Sequence, residues 1–373
     1  MKVSAVFIGI FLSVVLLVGK GICRSSKIAA QSIGALRGAR IAMTTTPSGE
    51  IDRIYIAREH EIQCLDKGLN RVIWTSHVSA GTVDVGPIVH GGTVAYVSDD
   101  MSTVTGLNTD NGSLKWSTAI QTAHITGDNK TVFLATSTGM GVQALDAETG
   151  KRIWKYEPGG PGSIYQLVYT NGRIYTDAYV LSATNGLIVK KNASTANIID
   201  ARADTIFKVI GDGTIEAFRT RTNSVVWKAV SDRRIYPIAI SVNDRFLFFV
   251  GYSGMPFIAR KGFLWAFDVS DGHAAWELPI ATGDGGLQPD PIASDYDNVY
   301  LLSPAADFST WLSDISVVTG KQVWSHDLKG KIDGPPLVVG GVLYLTDGPD
   351  VLYEIDKRSG SVLLRDELPK ELR

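Results

Sequence analysis

From about residue 39 to residue 368 the chain is built of short runs in which apolar and polar positions alternate, joined in pairs by polar turns. A period of two marks a half-buried strand, and two such runs around a tight turn make a hairpin. The best-kept hairpin is Ala144-Leu145-Asp146-Ala147-Glu148-Thr149-Gly150-Lys151-Arg152-Ile153-Trp154. With Asp146 as position zero, position four reads Asn70, Gly112, Gly150, Gly186, Asn223, Gly272, Gly320 and Gly360 along the chain. Glycine and asparagine are the residues that most readily take a positive φ, so every copy carries the same turn. Position eight reads Trp74, Trp116, Trp154, Lys190, Trp227, Trp276, Trp324 and Leu364. Position zero is Asp66, Asn108, Asp146, Ser182, Arg219, Asp268, Ser316 and Asp356, where a short polar side chain accepts a backbone hydrogen bond and nucleates the turn.

The copies recur every 36 to 49 residues, about the period of a four-stranded propeller blade. One blade cannot bury both faces alone, so the tryptophan at position eight is expected to pack against a neighbour. The chain is therefore read as all-β, an eight-bladed β-propeller of four-stranded antiparallel blades spanning residues 39–368, followed by a short tail at 369–373. The expected blades are 39–78, 82–120, 122–156, 163–192, 196–230, 235–280, 287–328 and 332–368. Within them Gly86-Pro87-Ile88-Val89 reads as an inner strand, Thr93–Val97 as the next, and then the hairpin that ends at Trp116. Pro87, Pro237, Pro291 and Pro335 mark strand entrances, where no ladder bond is lost.

The repeat Ala-x-Asp-x-x-Thr-Gly-x-x-x-Trp at residues 144 to 154 resembles that of the quinoprotein-type (PQQ-like) eight-bladed propellers. That family includes pyrroloquinoline quinone dehydrogenases and the non-enzymatic outer-membrane assembly lipoprotein of the BamB type. The resemblance implies that the tryptophans dock between blades, with looser junctions where Lys190 and Leu364 replace them. It also implies what a quinone site would need: a tryptophan floor in the central funnel, a disulfide between adjacent cysteines, and a calcium held by carboxylate and amide side chains. Asp290 and Asp333 are the carboxylates to consider for such a site, but no set at the family's spacing accompanies them. The repeat itself is structural and does not fix a function.

Composition narrows the picture. Apolar residues make up 45% of the chain and charged residues 20%, the balance of a packed globular protein. With 36 basic and 38 acidic residues the formal net charge is −2 and no basic run stands out, which disfavours nucleic acid as a partner. Two cysteines, Cys23 and Cys64, rule out a disulfide framework, and Cys64 reads as a small core residue on a strand. Lys2 precedes an apolar run from Val3 to Val18, which gives residues 1–23 the form of a signal peptide or membrane anchor. A lipid on Cys23 is a third option, and residues 24–38 read as a linker. Export follows from any of these. Asn111, Asn129 and Asn192 begin glycosylation triplets.

No catalytic, cofactor or metal residue is assigned. The six histidines are scattered without metal-ligand spacing, and no Gly-x-Ser-x-Gly elbow, phosphate loop or zinc-protease motif occurs. The glycine-rich stretches 159–162 and 283–286 read as links between blades. Asp84, Asp290 and Asp333 each precede an entrance proline, which places them at one mouth of the central channel as an acidic rim or as ordinary turn residues. Blades six and seven have the longest periods, and the extra residues are expected as loops at 252–263 and 304–311. Met255, Phe257, Phe308 and Trp311 then crowd one face beside that rim, either as protein-binding aromatics or folded back onto the propeller. The expectation is an exported scaffold that binds protein partners through Phe257, Phe308, Trp311, Asp290 and Asp333, without a cofactor. The alternative is a quinone- and calcium-dependent oxidoreductase.

Overall fold

The computed structural model describes residues 41–367 apart from connecting stretches, the longest of them 281–291. The leader, the linker and the tail expected at 1–38 and 369–373 lie outside the described residues, as do Phe257, Phe308 and Asp290. Eight four-stranded antiparallel sheets follow one another along the chain, each with its strands in sequence order. They occupy residues 41–77, 83–119, 122–156, 167–191, 196–229, 235–280, 292–327 and 332–367. The first strands of successive blades contact each other and line the channel, while the fourth strands lie outermost. The protein is an eight-bladed β-propeller.

Each hairpin before a tryptophan closes as its residue types dictate. In blade three the Gly150 amide donates to the Asp146 carbonyl at 2.8 Å, and φ at Gly150 is +65°. The Asp146 carboxylate accepts from the amide and the hydroxyl of Thr149, both at 2.8 Å, which holds its pKa below the usual carboxylate range. One residue bulges on the strand after the turn, so that Ala144 rather than Gln143 faces Trp154 across the ladder.

The indole then reaches into the next blade. Trp116 Nε1 donates to the carbonyl of Ala147, the residue after position zero in blade three, at 2.9 Å. Trp74 does the same to Thr109, Trp154 to Ala183, Trp227 to Val269, Trp276 to Val317 and Trp324 to Lys357, at 2.8 to 3.1 Å. Its ring lies flat against the turn glycine of that blade. A Cβ on Gly112, Gly150, Gly186, Gly272, Gly320 or Gly360 would come within 2.7 Å of the preceding blade's indole. Tryptophan and glycine are thus partners one blade apart, an offset that the repeat alone did not reveal.

Eight apolar clusters correspond to the eight seams between blades. Phe133, Ala144 and Trp154, for example, pack on Leu167, Ile174 and Leu181 between blades three and four. The ring closes through side chains, with Tyr344, Leu352 and Leu364 of blade eight on Ile54, Ile56 and Leu65 of blade one. The two seams without a docking tryptophan have the smallest buried clusters among the described residues. Cys64 is fully buried opposite Trp74 in the seam between blades one and two, and burial pushes its thiol up to about 11.

Candidate functional site: a groove between blades six and seven

The extra length of blade six is strand rather than loop. Its second and third strands, Phe246–Met255 and Ile258–Asp268, continue the ladder through Tyr252 with Gly262, Ser253 with Lys261 and Met255 with Ile258. The expected loop at 252–263 is therefore corrected to a lengthened hairpin, because alternation such as Ser253, Met255 against Lys261, Phe263 sustains pairing. In blade seven the second strand Asn298–Pro304 pairs with Thr310–Ser316, up to Pro304 opposite Thr310. Trp311 consequently sits on a strand, opposite Ser303 and Asp327, not in a loop.

That placement gives Trp311 one wall of a groove of about 450 Å³ along the seam between blades six and seven. Pro279 and Ile280, at the end of the fourth strand of blade six, line it from the other blade, and Ser303 and Pro304 line it beside Trp311. Ile315 lines the groove and belongs to the buried cluster of this seam, against which the half-buried Trp276 packs. Trp311 is 40% exposed, in contrast to Trp265, which is buried and donates to Glu277 Oε2 at 2.8 Å. A large half-exposed aromatic beside prolines offers apolar area at low conformational cost. The lengthened hairpin rises from the same face of the propeller. Asp84 and Asp333 lie on the first strands of blades two and eight, so the structure puts their backbones on the channel wall.

A second polar feature, missed from the sequence, lies in the seam between blades seven and eight. Asp314 stands across the ladder from Trp324, where five other blades carry Cys64, Gly106, Ala144, Ala217 or Ala266 beneath their tryptophans. It is 1% exposed and its Oδ1 has no hydrogen-bond partner. Burial, and then the neighbouring Asp295, push its carboxyl up to about 7, against the opposing pull of Lys357. Lys357 itself donates to Asp295 Oδ2 at 2.7 Å and ties the two blades together. The signal was present two residues before position zero, where an acid replaces a small residue.

The family model described as outer membrane protein assembly factor BamB matches residues 31–229, 121–303 and 309–373, in overlapping passes as a repeat array allows. The chain belongs to this family. Among curated BamB-family relatives, the outer membrane protein assembly factor BamB of Xanthomonas campestris is 27% identical over 252 residues, 62% of this chain and 60% of that protein. A tetrathionate hydrolase of Acidithiobacillus ferrooxidans is 25% identical over 283 residues, 67% of this chain and 54% of that protein. The chain thus spans little more than half the length of these two relatives. The solved quinohemoprotein alcohol dehydrogenase ADHIIG of Pseudomonas putida HK5 superposes with a TM-score of 0.61 at 13% identity, over 88% of this chain and 73% of that one. It shares the fold.

The described residues offer no tryptophan on the channel wall to floor a quinone. All eight tryptophans have other places: six dock between blades, Trp265 lies in the seam between blades five and six, and Trp311 lines the groove. None is on a first strand, so the channel has no indole to serve as the floor. Among the described residues no group of three or more His, Cys, Asp or Glu side chains is arranged to hold a metal ion.

Proposed function

We propose that this chain is an exported binding scaffold, acting in outer-membrane protein assembly as its BamB relatives are named for, and that it holds a protein partner in the groove between blades six and seven. The observation that carries the reading is Trp311, a half-exposed aromatic walling a groove of mixed lining, with Pro279, Ile280 and Pro304 beside Ser313, Gln322 and Ser325, next to the lengthened hairpin of blade six. Anchors of this kind dominate interface energies, at about 2 kcal/mol or more each when buried by a partner. Phe257, Phe308 and the channel-mouth carboxylates Asp290 and Asp333 belong to the same proposed face.

The test uses the full chain in its native compartment with a photo-crosslinking residue at position 311 and, as a control on the opposite face, at position 111. A discrete crosslinked partner from an outer-membrane assembly complex at 311 and none at 111 is the expected result. Trp311→Ala should then abolish that crosslink from a second probe at position 279 with little change in Tm. Crosslinks at 111 alone, or a Trp311→Ala protein with an undiminished partner, overturn the proposal.

A further inference from the structure

The seam between blades four and five is wired differently from the other seven. Blade four is the smallest, with strands of four residues, and Lys190 stands where a tryptophan docks elsewhere. The acceptor that such an indole would use, the carbonyl of Thr220 in the turn of blade five, is taken instead by the Arg173 guanidinium. Lys190 turns inward, its Nζ 4.0 Å from the centre of the Phe218 ring, and Lys208 of blade five places its Nζ 4.9 Å from the same ring. The two ammonium groups are thus within about 9 Å of each other.

Compensation is incomplete. Lys208, Glu216 and Lys228 form a cross-strand row on one face of blade five. Glu216 is buried and bound by Lys228. Among the described residues it is the one carboxylate that acts on Lys208, against the combined effect of burial, Lys190 and Lys228, which together hold the Lys208 amine below its ordinary pKa. Burying a cation without a full counter-charge is costly, and cation–π contacts of about 0.5–2 kcal/mol offset only part of it. An anion with several acceptor oxygens supplies what the seam lacks.

We propose that the seam between blades four and five, where Lys190 and Lys208 meet over Phe218 and the neighbouring Glu216 is already held by Lys228, binds a phosphate- or sulfate-sized oxyanion. The site lies at a different seam from the groove at Trp311 and stands or falls separately from it. Binding joins the two blades through charge where six other seams use an indole, at a junction whose buried apolar cluster is small.

The full chain is titrated with sodium phosphate and sodium sulfate, with chloride keeping the ionic strength constant. Amine acylation, read by peptide mass spectrometry, is followed at Lys190, Lys208 and the exposed reference Lys321, together with Tm. At phosphate tenfold above its Kd, acylation of Lys208 and Lys190 should slow by about tenfold while Lys321 is unchanged, and Tm should rise by about 1–3 °C. Lys208→Met and Lys190→Met should each lose the phosphate-dependent rise while keeping or raising the Tm in chloride. Equal protection at Lys321, or an undiminished Tm rise in both variants, overturns the proposal. If a variant fails to fold, the acylation pattern of the wild-type chain decides.

Discussion

Replacing Gly150 by alanine tests the packing logic of the propeller with a single methyl group. The new Cβ would lie 2.5 Å from Trp116 Cδ2 and 2.6 Å from Cγ, and the residue has a φ of +65°. The backbone term is about 1–2 kcal/mol for an L-residue held in the left-handed region. Overpacking against the indole adds about 1–3 kcal/mol, because Trp116 is also closed in by Gly106 on its own blade, where a Cβ would meet it at 2.3 Å. The control is Gly172→Ala, with a φ of +70° and no atom within 4 Å of the added methyl, which should cost the backbone term alone. In a Trp116→Ala background the overpacking term disappears, and Gly150→Ala should fall to the cost of the control. The orphaned Ala147 carbonyl is no complication there, since Thr93 Oγ1 also donates to it at 2.8 Å. Urea unfolding of the four proteins gives the cycle, with m-values checked for constancy because repeat arrays can unfold in parts. If Gly150→Ala costs no more than Gly172→Ala, or costs as much without Trp116 as with it, the tryptophan–glycine pairing is not what holds the seams.

Trp154→Ala should cost about 3–5 kcal/mol, the range for a large buried aromatic, while Lys190→Ala at the equivalent place costs under about 1 kcal/mol in the same unfolding assay. Asp314 carries a pH dependence of definite sign. Its folded pKa is raised to about 7, above the unfolded value, so the folded chain holds a proton that the unfolded chain releases near pH 4. Stability present below that unfolded pKa is therefore lost as pH rises through about 7, and Asp314→Asn should flatten the decline in Tm between pH 5 and pH 8. An unchanged slope in this variant would place the titrating group elsewhere.

Much of the fold was legible because one hairpin carries three coupled constraints: a polar nucleator, a residue tolerant of positive φ and a large indole at fixed spacing. Each observed blade falls within its expected range, as with the strands from Leu167 to Lys191 inside the range 163–192. The lengthened hairpin of blade six was less legible, since Gly254 and Pro256 interrupt the alternation and read as loop signals. Pairing continues past Gly254 because the register of Tyr252 and Ser253 is already set by six preceding ladder pairs, Phe246 to Gly251, on the same hairpin. Trp311 was singled out from the sequence, but its strand and its groove depend on Pro279 and Ile280 of blade six, residues that are close in space and distant in sequence.

The departures from the repeat also fall into a pattern that the offset between tryptophan and glycine explains. Since each indole docks on the next blade's turn, a missing tryptophan in blade four should free position four of blade five from the need for glycine. That position is Asn223, and the same relation holds between Leu364 of blade eight and Asn70 of blade one. Asparagine still tolerates the positive φ that the turn needs but carries a side chain that a docked indole would exclude. The two exceptions at position four and the two at position eight are therefore two events rather than four, each belonging to one seam. One of these seams is filled by aliphatic side chains around Leu364, which suits a junction that must close the ring without help from the chain. The other holds a small apolar cluster around Phe218, with Lys190 and Lys208 over its ring. A seam relieved of its structural lock is a place where side chains of other chemistry can gather, and Lys190 and Lys208 have gathered there.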